Sequence, residues 1–279
     1  MSALTIGIPC YNEERHIAEC LESVIAQTGE PDFRVVISDN ASTDATPEII
    51  AETLGRAPDG FADRVTVIRQ PENVGVHRNF WAAYNACETR YFMWLGAHDA
   101  ITPDYVSATL PLIAENPDVA MAMGQPYGIR EDRSNAFHVP EAVYDFSAED
   151  AYVRYHQSVQ RLGNCTVFHS IFRHVDLADM RQIASGPWDH VLISRLLGKG
   201  RLAYSQTGYL RRYFPQTAPD PGKQANYVKD MAFVTHYLED FEKVFEGRIP
   251  SVVRSNFSQL VFLELVNRFG LPPMVRDVA

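Results

Sequence analysis

The 279-residue sequence has few cysteines and no long apolar segment. Its four cysteines (Cys10, Cys20, Cys87 and Cys165) form no C-x-x-C pair, and their spacing suits neither a zinc site nor a disulfide framework. We therefore expect reduced, buried thiols in a cytoplasmic protein. No stretch approaches the roughly 20 apolar residues that span a bilayer, and the start lacks the basic and apolar regions of a signal peptide. The sequence predicts no transmembrane segment.

Several familiar catalytic motifs are also missing. No G-x-G-x-x-G follows the first predicted strand and no G-x-x-x-x-G-K-[ST] is present, which argues against a dinucleotide site and a P-loop. G-x-S-x-G and H-E-x-x-H are missing too. Lys and Arg total 25 against 35 Asp and Glu, giving a net charge of −10. This balance argues against nucleic-acid binding, but it allows one local basic pocket for a phosphate.

The first half of the sequence alternates between apolar runs and segments of helical periodicity. The predicted strands span residues 4–9, 33–38, 65–69, 91–95 and 119–123. Strands that alternate with helices indicate an α/β fold with a mostly parallel sheet covered by helices on both faces. The second half is less regular. It predicts a loop over 126–146, short strands at 165–172 and 201–204, and helices over 227–245 and 252–269.

Polar residues follow three of the predicted strands at the point where each strand ends. They are Tyr11-Asn12-Glu13, Asp39-Asn40 and His98-Asp99. Ligands of parallel α/β sheets bind beyond the carboxyl ends of the strands. We therefore expect these three clusters to line one cleft.

Four segments of the first hundred residues combine into a recognisable series of motifs. Residues 6–14 read I-G-I-P-C-Y-N-E-E, residues 35–44 read V-V-I-S-D-N-A-S-T-D, residues 73–79 read N-V-G-V-H-R-N, and residues 94–99 read W-L-G-A-H-D. In this order they resemble the P-x-Y-N-E, V-D-D/N-x-S-T-D, N-x-G-x-x-x-A-R-N and D-x-D motifs of the family-two glycosyltransferases. W-D-H-V-L at 188–192 resembles the later segment that supplies a base. Together the first four are highly specific.

The resemblance covers about residues 3–215 and implies the GT-A fold, a mostly parallel twisted sheet flanked by helices. We predict a GT-A domain over 1–218, with a nucleotide-sugar-binding half (1–124) and an acceptor-side half (125–218). A C-terminal helical appendage over 219–279 follows. The resemblance implies an inverting transferase. Because the Q-x-x-R-W signature of processive synthases and membrane spans are both missing, we expect transfer of single sugars.

The resemblance also implies a set of donor-binding residues. They are Pro9, Tyr11, Glu13, Asp39, Asn40, Arg78, His98 and Arg212. In this set Tyr11 would stack on the base, and Asp39 would accept its imide N–H, which selects uracil or thymine and hence a UDP-sugar or dTDP-sugar. The alternatives are a core aromatic for Tyr11 and a loop-capping carboxylate for Asp39. Glu13 would contact the ribose or complement a helix N-terminus.

The arginines and histidines of the sequence also have both a functional and a structural interpretation. Arg78 suits the pyrophosphate or orders the base pocket, and its alternative is a salt bridge. Arg211 and Arg212 would lie under the diphosphate or on a flexible lid, and their alternative is a solvated basic pair. The remaining histidines have no metal-like spacing and are expected to be structural.

The family's D-x-D carboxylates tether a divalent cation, Mn²⁺ or Mg²⁺, to the donor diphosphate. Here the motif is incomplete, because Ala97 and His98 stand where acidic residues belong and only Asp99 remains. Asp99 is the predicted metal ligand, and His98 is a second candidate that suits Mn²⁺ better than Mg²⁺. His98 could equally bind a phosphate or a sugar hydroxyl.

Inversion needs a base opposite the leaving group, and Asp189 is the candidate. Its alternative is a plain aspartate at a helix start. Relatives suggest a glycan or lipid-linked glycan as acceptor, a cytoplasmic location with peripheral contact to the inner face of the membrane as an alternative, and dimerisation through the C-terminal helices. Two competing hypotheses remain: a catalytically degenerate GT-A-like binding module, and a nucleotidyltransferase. The second lacks the Gly-rich basic loop that it needs.

Overall fold

The computed structural model describes residues 3–29, 31–130, 136–138, 145–161, 165–180, 188–213 and 231–248, with short pieces at 250–251, 254–256, 258–260 and 262–263. One sheet organises this part of the chain. In the described residues this sheet has nine strands, which we number β1 to β9 in chain order. The predicted α/β class is confirmed.

The first half builds the parallel part of the sheet. Its strands are β1 (Leu4–Cys10), β2 (Phe33–Asp39), β3 (Val65–Arg69) and β4 (Tyr91–Trp94). The helices between them are α1 (Ile17–Ile25), α2 (Thr46–Gly55) and α3 (Val76–Asn85). β1 is buried along its whole length and pairs in parallel with both β2 and β4. A strand covered on both faces needs a continuous apolar run, which is what this segment supplies.

The second half adds strands of both directions. They are β5 (Ala100–Ile101), β6 (Val119–Arg130), β7 (Ala136–His138), β8 (Ile171–Arg173) and β9 (Arg201–Tyr213). β8 is antiparallel to β4 and β6, whereas β6 and β9 are parallel. Across the sheet the strand order is β3-β2-β1-β4-β8-β6-β9-β5, and β7 pairs with β6.

Three predictions for this half were wrong in extent. β6 continues to Arg130, into the predicted loop, and β9 continues to Tyr213 instead of ending at 204. The two strands pair along most of their length, so each extends the other. The predicted strand 165–172 is a 3₁₀ turn at Thr166–His169 followed by β8. A short apolar run does not by itself distinguish these structures.

The remaining helices are α4 (Tyr105–Ala114), α5 (Ala151–Arg161), α6 (Trp188–Lys199) and α7 (Met231–Phe245). α7 confirms the first predicted C-terminal helix in part. Its Tyr237 and Phe241 are fully buried against the rest of the protein, and Asp240 forms an ion pair of 2.5 Å with the buried Arg195 of α6. The proposed boundary at 218/219 and most of the second predicted helix lie outside the described residues, so the domain division stays a prediction.

In the described part of the chain, no helix has the length and apolar character needed to cross a membrane.

Candidate functional site

The ends of β1, β2 and β4 bring the three polar clusters to one edge of the sheet. Cys10 at the end of β1 lies beside Asp39 at the end of β2. His98 follows β4, and its Nδ1 is 2.9 Å from Oε1 of Glu13, which follows β1. Asn12 and Ala41, at two of these turns, have φ angles of 54° and 59°. Such left-handed conformations in residues other than glycine concentrate at functional sites.

Tyr11 and Asp39 face this edge in different ways. The Tyr11 ring is 42% exposed, so it is not a core aromatic. Asp39 is only 1% exposed. Its Oδ1 accepts a hydrogen bond of 3.0 Å from the Ser42 N–H. Its Oδ2 lies 3.3 Å from Nη1 of Arg69 but accepts no hydrogen bond from the residues that the structure describes. One buried carboxylate oxygen therefore keeps capacity for an N–H donor.

Asn40 and Pro9 are buried residues next to this edge of the sheet. The Asn40 side chain is buried and holds the turn before α3, because it donates to Oδ1 of Asn73 (2.9 Å) and accepts from the Val74 N–H (2.9 Å). Pro9 is buried within β1, beside Ser38 of β2. We interpret both residues as structural: they position the backbone that surrounds the site.

Arg78 is exposed on the first turn of α3, directly after this turn. Within the described ranges it forms no ion pair, so the alternative of a structural salt bridge gains no support there.

The Glu13–His98 pair connects the tips of β1 and β4. Burial alone lowers the pKa of His98. The hydrogen bond that His98 donates to the Glu13 carboxylate and the negative charges of Asp99 and Glu13 outweigh that effect, and the net pKa is raised above its ordinary value. The Glu13 carboxylate therefore faces an imidazole, and the Glu13 backbone N–H donates to Oγ1 of Thr46 at 2.7 Å.

Asp99 points away from this pair and into the protein. It is 2% exposed. Its Oδ2 accepts a hydrogen bond of 2.8 Å from the Tyr209 hydroxyl, and its Oδ1 accepts one of 2.8 Å from the Arg212 N–H. A Cβ at Gly96 would lie 2.6 Å from Oδ2 of Asp99, so glycine leaves the space that this carboxylate occupies. Asp99 thus ties the turn after β4 to strand β9.

The two arginines of β9 differ in their surroundings. Arg212 is 6% exposed. Its Nη2 donates to Oε2 of Glu19 at 2.7 Å, and its Nε donates to the His98 carbonyl at 3.0 Å. Arg211 is half-buried, and its Nη1 donates to Oγ1 of Thr166 at 2.7 Å. The positive charge of Arg211 acts against the net rise in the pKa of His98.

The predicted base lies at the start of α6. Asp189 is half-buried, and its Oδ1 accepts a hydrogen bond of 3.0 Å from the N–H of His190. The preceding Trp188 packs edge-on against His77 of α3, with ring centroids 5.1 Å apart, and against Phe168 at 5.0 Å. Aromatic contacts thereby join the start of α6 to the helix that follows the Asn73 turn.

Sequence reasoning missed His77 as part of this arrangement. Its side chain is buried, and its Nε2 accepts a hydrogen bond of 3.0 Å from the Trp81 indole N–H. Burial, with a smaller effect of Arg78, lowers the pKa of His77. The one available signal was the spacing of His77 and Trp81, four residues apart on one helix face.

Solved structures share this architecture. TarS from Staphylococcus aureus, in a crystal structure of its complex with UDP-GlcNAc, matches with a TM-score of 0.67 at 16% identity, covering 95% of this chain and 73% of that chain. The mannosyltransferase PcManGT from Pyrobaculum calidifontis, in complex with GDP-Man and Mn²⁺, matches with a TM-score of 0.56 at 17% identity, covering 94% and 69%. These likenesses define the fold as the GT-A type found in glycosyltransferases.

The sequence gives the family. Residues 5–176 match the family described as glycosyl transferase family 2, and the chain belongs to that family. An uncharacterized protein of Mycobacterium tuberculosis is 32% identical over 152 residues, which cover 54% of this chain and 38% of the relative. The glycosyltransferase GlyA of Streptococcus pneumoniae is 30% identical over 151 residues, covering 51% and 20%. The chain therefore aligns with less than half of the length of these relatives.

Proposed function

We propose that this chain is an inverting, non-processive glycosyltransferase. It moves one sugar from a UDP-sugar or dTDP-sugar to a hydroxyl of a glycan or lipid-linked glycan. One observation supports the proposal most strongly. In this family 2 chain, the tips of three strands bring together the exposed ring of Tyr11, the buried Oδ2 of Asp39 and the imidazole of His98.

The donor's base would lie between Tyr11 and Asp39. The phenol ring offers a stacking surface, and such stacking onto a base contributes about 1–3 kcal/mol. Oδ2 of Asp39 would accept the imide N–H of uracil or thymine, which cytosine lacks. A buried carboxylate oxygen without a hydrogen bond is costly, so the imide N–H would supply the hydrogen bond that Oδ2 lacks beside Arg69.

The chemical step requires one base. The acceptor hydroxyl oxygen attacks the anomeric carbon as the Asp189 carboxylate takes its proton. The bond between the anomeric carbon and the diphosphate oxygen breaks on the opposite face, and the nucleoside diphosphate leaves with the electron pair. Attack opposite the leaving group inverts the anomeric centre.

A binding panel tests the donor site. We expect calorimetric titration to show binding of UDP or dTDP, weaker binding of GDP, and the weakest binding of CDP. Asp39→Asn should reduce the preference for UDP over CDP, because the amide can also donate to cytosine. Absence of binding by all four nucleotides would contradict the proposal.

A matched pair of variants tests the base. Asp189→Asn should bind UDP like the wild type, while UDP release from UDP-sugars, measured with a panel of saccharide acceptors, falls about 10²-fold or more. Asp104→Asn, at the start of α4, is the control because Asp104 is also an aspartate at a helix start but is exposed. Unimpaired transfer by Asp189→Asn would remove Asp189 from this role.

A second candidate is a GT-A-like module that binds nucleotide sugars without transfer. The incomplete acidic motif, with Ala97 and His98 where acidic residues belong, favours it. It predicts nucleotide binding with no turnover for any pair of donor and acceptor. The cytoplasmic location, peripheral membrane contact and dimerisation stay predictions.

A further inference from the structure

The family implies a divalent cation on the donor diphosphate, and the donor set here can be compared with that requirement. Mg²⁺ and Mn²⁺ favour several oxygen ligands. Asp99, the remaining acidic residue of the motif, is 2% exposed, and each of its oxygens already accepts a hydrogen bond from the protein. Among the residues that the structure describes, no three His, Cys, Asp or Glu side chains are grouped to hold a metal. The residues present do not fit such a site.

The geometry also explains why Asp99 cannot simply turn outward. Its carboxylate occupies the space above Gly96, where a Cβ would approach to 2.6 Å. Rotation towards the cleft would leave the Tyr209 hydroxyl and the Arg212 N–H without their acceptor in a buried environment. The two hydrogen bonds and the space above Gly96 therefore hold the Asp99 carboxylate in its inward position.

Two nitrogen-bearing side chains adjoin Asp99 along the backbone: His98 precedes it, and Arg211 precedes Arg212, whose N–H donates to Oδ1 of Asp99. The His98 side chain is 33% exposed and is oriented by Glu13, whose carboxylate is 2.9 Å from Nδ1. Arg211 is half-buried and oriented by Thr166. Tyr209 and Arg211 lie two residues apart on β9 and so share a face, which places Arg211 on the side of Asp99. Arg212 is already held by Glu19 and the His98 carbonyl.

We propose that His98 and Arg211 bind the donor diphosphate in place of a divalent cation, so that nucleotide binding and transfer proceed without metal. This inference rests on the proposed function. The guanidinium presents a planar fork of N–H donors that matches phosphate oxygens. As the bond between the anomeric carbon and the diphosphate oxygen breaks, the negative charge that develops on that oxygen meets these donors.

The first test compares UDP binding in EDTA with binding in Mn²⁺ and in Mg²⁺, using the full chain. We expect dissociation constants within about threefold of one another. Binding that requires Mn²⁺, or that strengthens more than tenfold with it, would overturn the inference while leaving the proposed function intact. Absence of UDP binding under all three conditions would contradict the proposed function and this inference together.

Variants assign the effect to the two side chains. In EDTA, Arg211→Met and His98→Gln should each weaken UDP binding about tenfold or more, yet leave the weaker binding of uridine unchanged, because uridine has no phosphate. Arg201→Met is the matched control, since Arg201 is an exposed arginine at the other end of β9. An unchanged UDP affinity, or an equal loss for uridine and UDP, would contradict the assignment.

A third variant reverses the exchange. His98→Asp restores a carboxylate next to Asp99 and removes the imidazole. We expect it to bind UDP weakly in EDTA and to recover with Mn²⁺. Binding in EDTA as tight as that of the wild type would show that His98 does not contact the diphosphate.

Discussion

The buried carboxylate of Asp99 gives a sharp prediction, because a metal ligand and a structural tie respond differently to substitution. Asp99→Ala removes the acceptor for two buried donors, the Tyr209 hydroxyl and the Arg212 N–H, each 2.8 Å away. Each unpaired buried donor costs about 1–3 kcal/mol, so the free energy of unfolding should fall by about 2–6 kcal/mol. For a chain of this size that is a fall in Tm of at least about 4 °C.

Asp99→Asn should be far milder. The amide oxygen can accept from the Arg212 N–H while the amide NH₂ donates to the Tyr209 oxygen, so both contacts survive in altered form. We expect a loss of about 1 kcal/mol, and UDP affinity that depends on metal no more and no less than in the wild type.

Urea unfolding followed by tryptophan fluorescence, with scanning calorimetry, measures both variants. Asp118→Ala is the control, because Asp118 is an exposed carboxylate paired with Arg201, and it should leave Tm nearly unchanged. The reasoning is refuted if Asp99→Ala is as stable as the wild type. It is equally refuted if Asp99→Asn keeps its stability but loses a metal-dependent component of UDP binding.

Three further predictions concern other parts of the protein. Tyr11→Ala should weaken UDP binding by roughly 5- to 150-fold, the equivalent of about 1–3 kcal/mol of stacking, whereas Tyr11→Phe should retain it; equal losses would exclude stacking. Burial lowers the pKa of His169 to about 4, so between pH 6.5 and about 4 this histidine becomes protonated in the unfolded state but stays neutral in the folded state. Stability should then fall by about 2 kcal/mol between pH 6.5 and 5, and unfolding of His169→Gln should show a shallower slope over this range. Asp240→Ala leaves the buried Arg195 with the exposed carboxylate of Asp179 and the Asp176 carbonyl, and the free energy of unfolding in urea should fall by about 3 kcal/mol; a neutral result would mean that α7 is not anchored by this pair.

The parallel half of the sheet and its polar edge could be predicted because the signals are local. Each strand is a short apolar run that ends at polar residues, and parallel strands place those ends at one edge. The structure accordingly brings Tyr11, Asp39 and His98 to the same side of the sheet.

The full length of strands β6 and β9 could not be predicted, since the signals for their second halves are not local. Gln125 and Pro126 of β6 pair with Gly208 and Tyr209 of β9. A Cβ at Gly124 would lie 2.8 Å from the Thr207 carbonyl, so this glycine serves a close approach between the two strands. In the sequence alone, glycine and proline at these positions are typical of a loop.

The candidate site shows the same limit at the level of single side chains. His98 and Asp99 are neighbours in sequence, as are Arg211 and Arg212, but His98 and Arg211 are half-buried whereas Asp99 and Arg212 are buried. The choice depends on partners such as Tyr209 and on the pleat of β9. Motif resemblance identifies the segment, whereas packing decides which residue in it can meet a ligand.

A crystal structure of the full chain with UDP in the presence of EDTA tests the central claim most directly. We predict uracil stacked on Tyr11 with its imide N–H on Oδ2 of Asp39, and the diphosphate within hydrogen-bonding distance of His98 and Arg211. UDP bound elsewhere, or a diphosphate that contacts Asp99 and neither of these two side chains, would contradict the site described here.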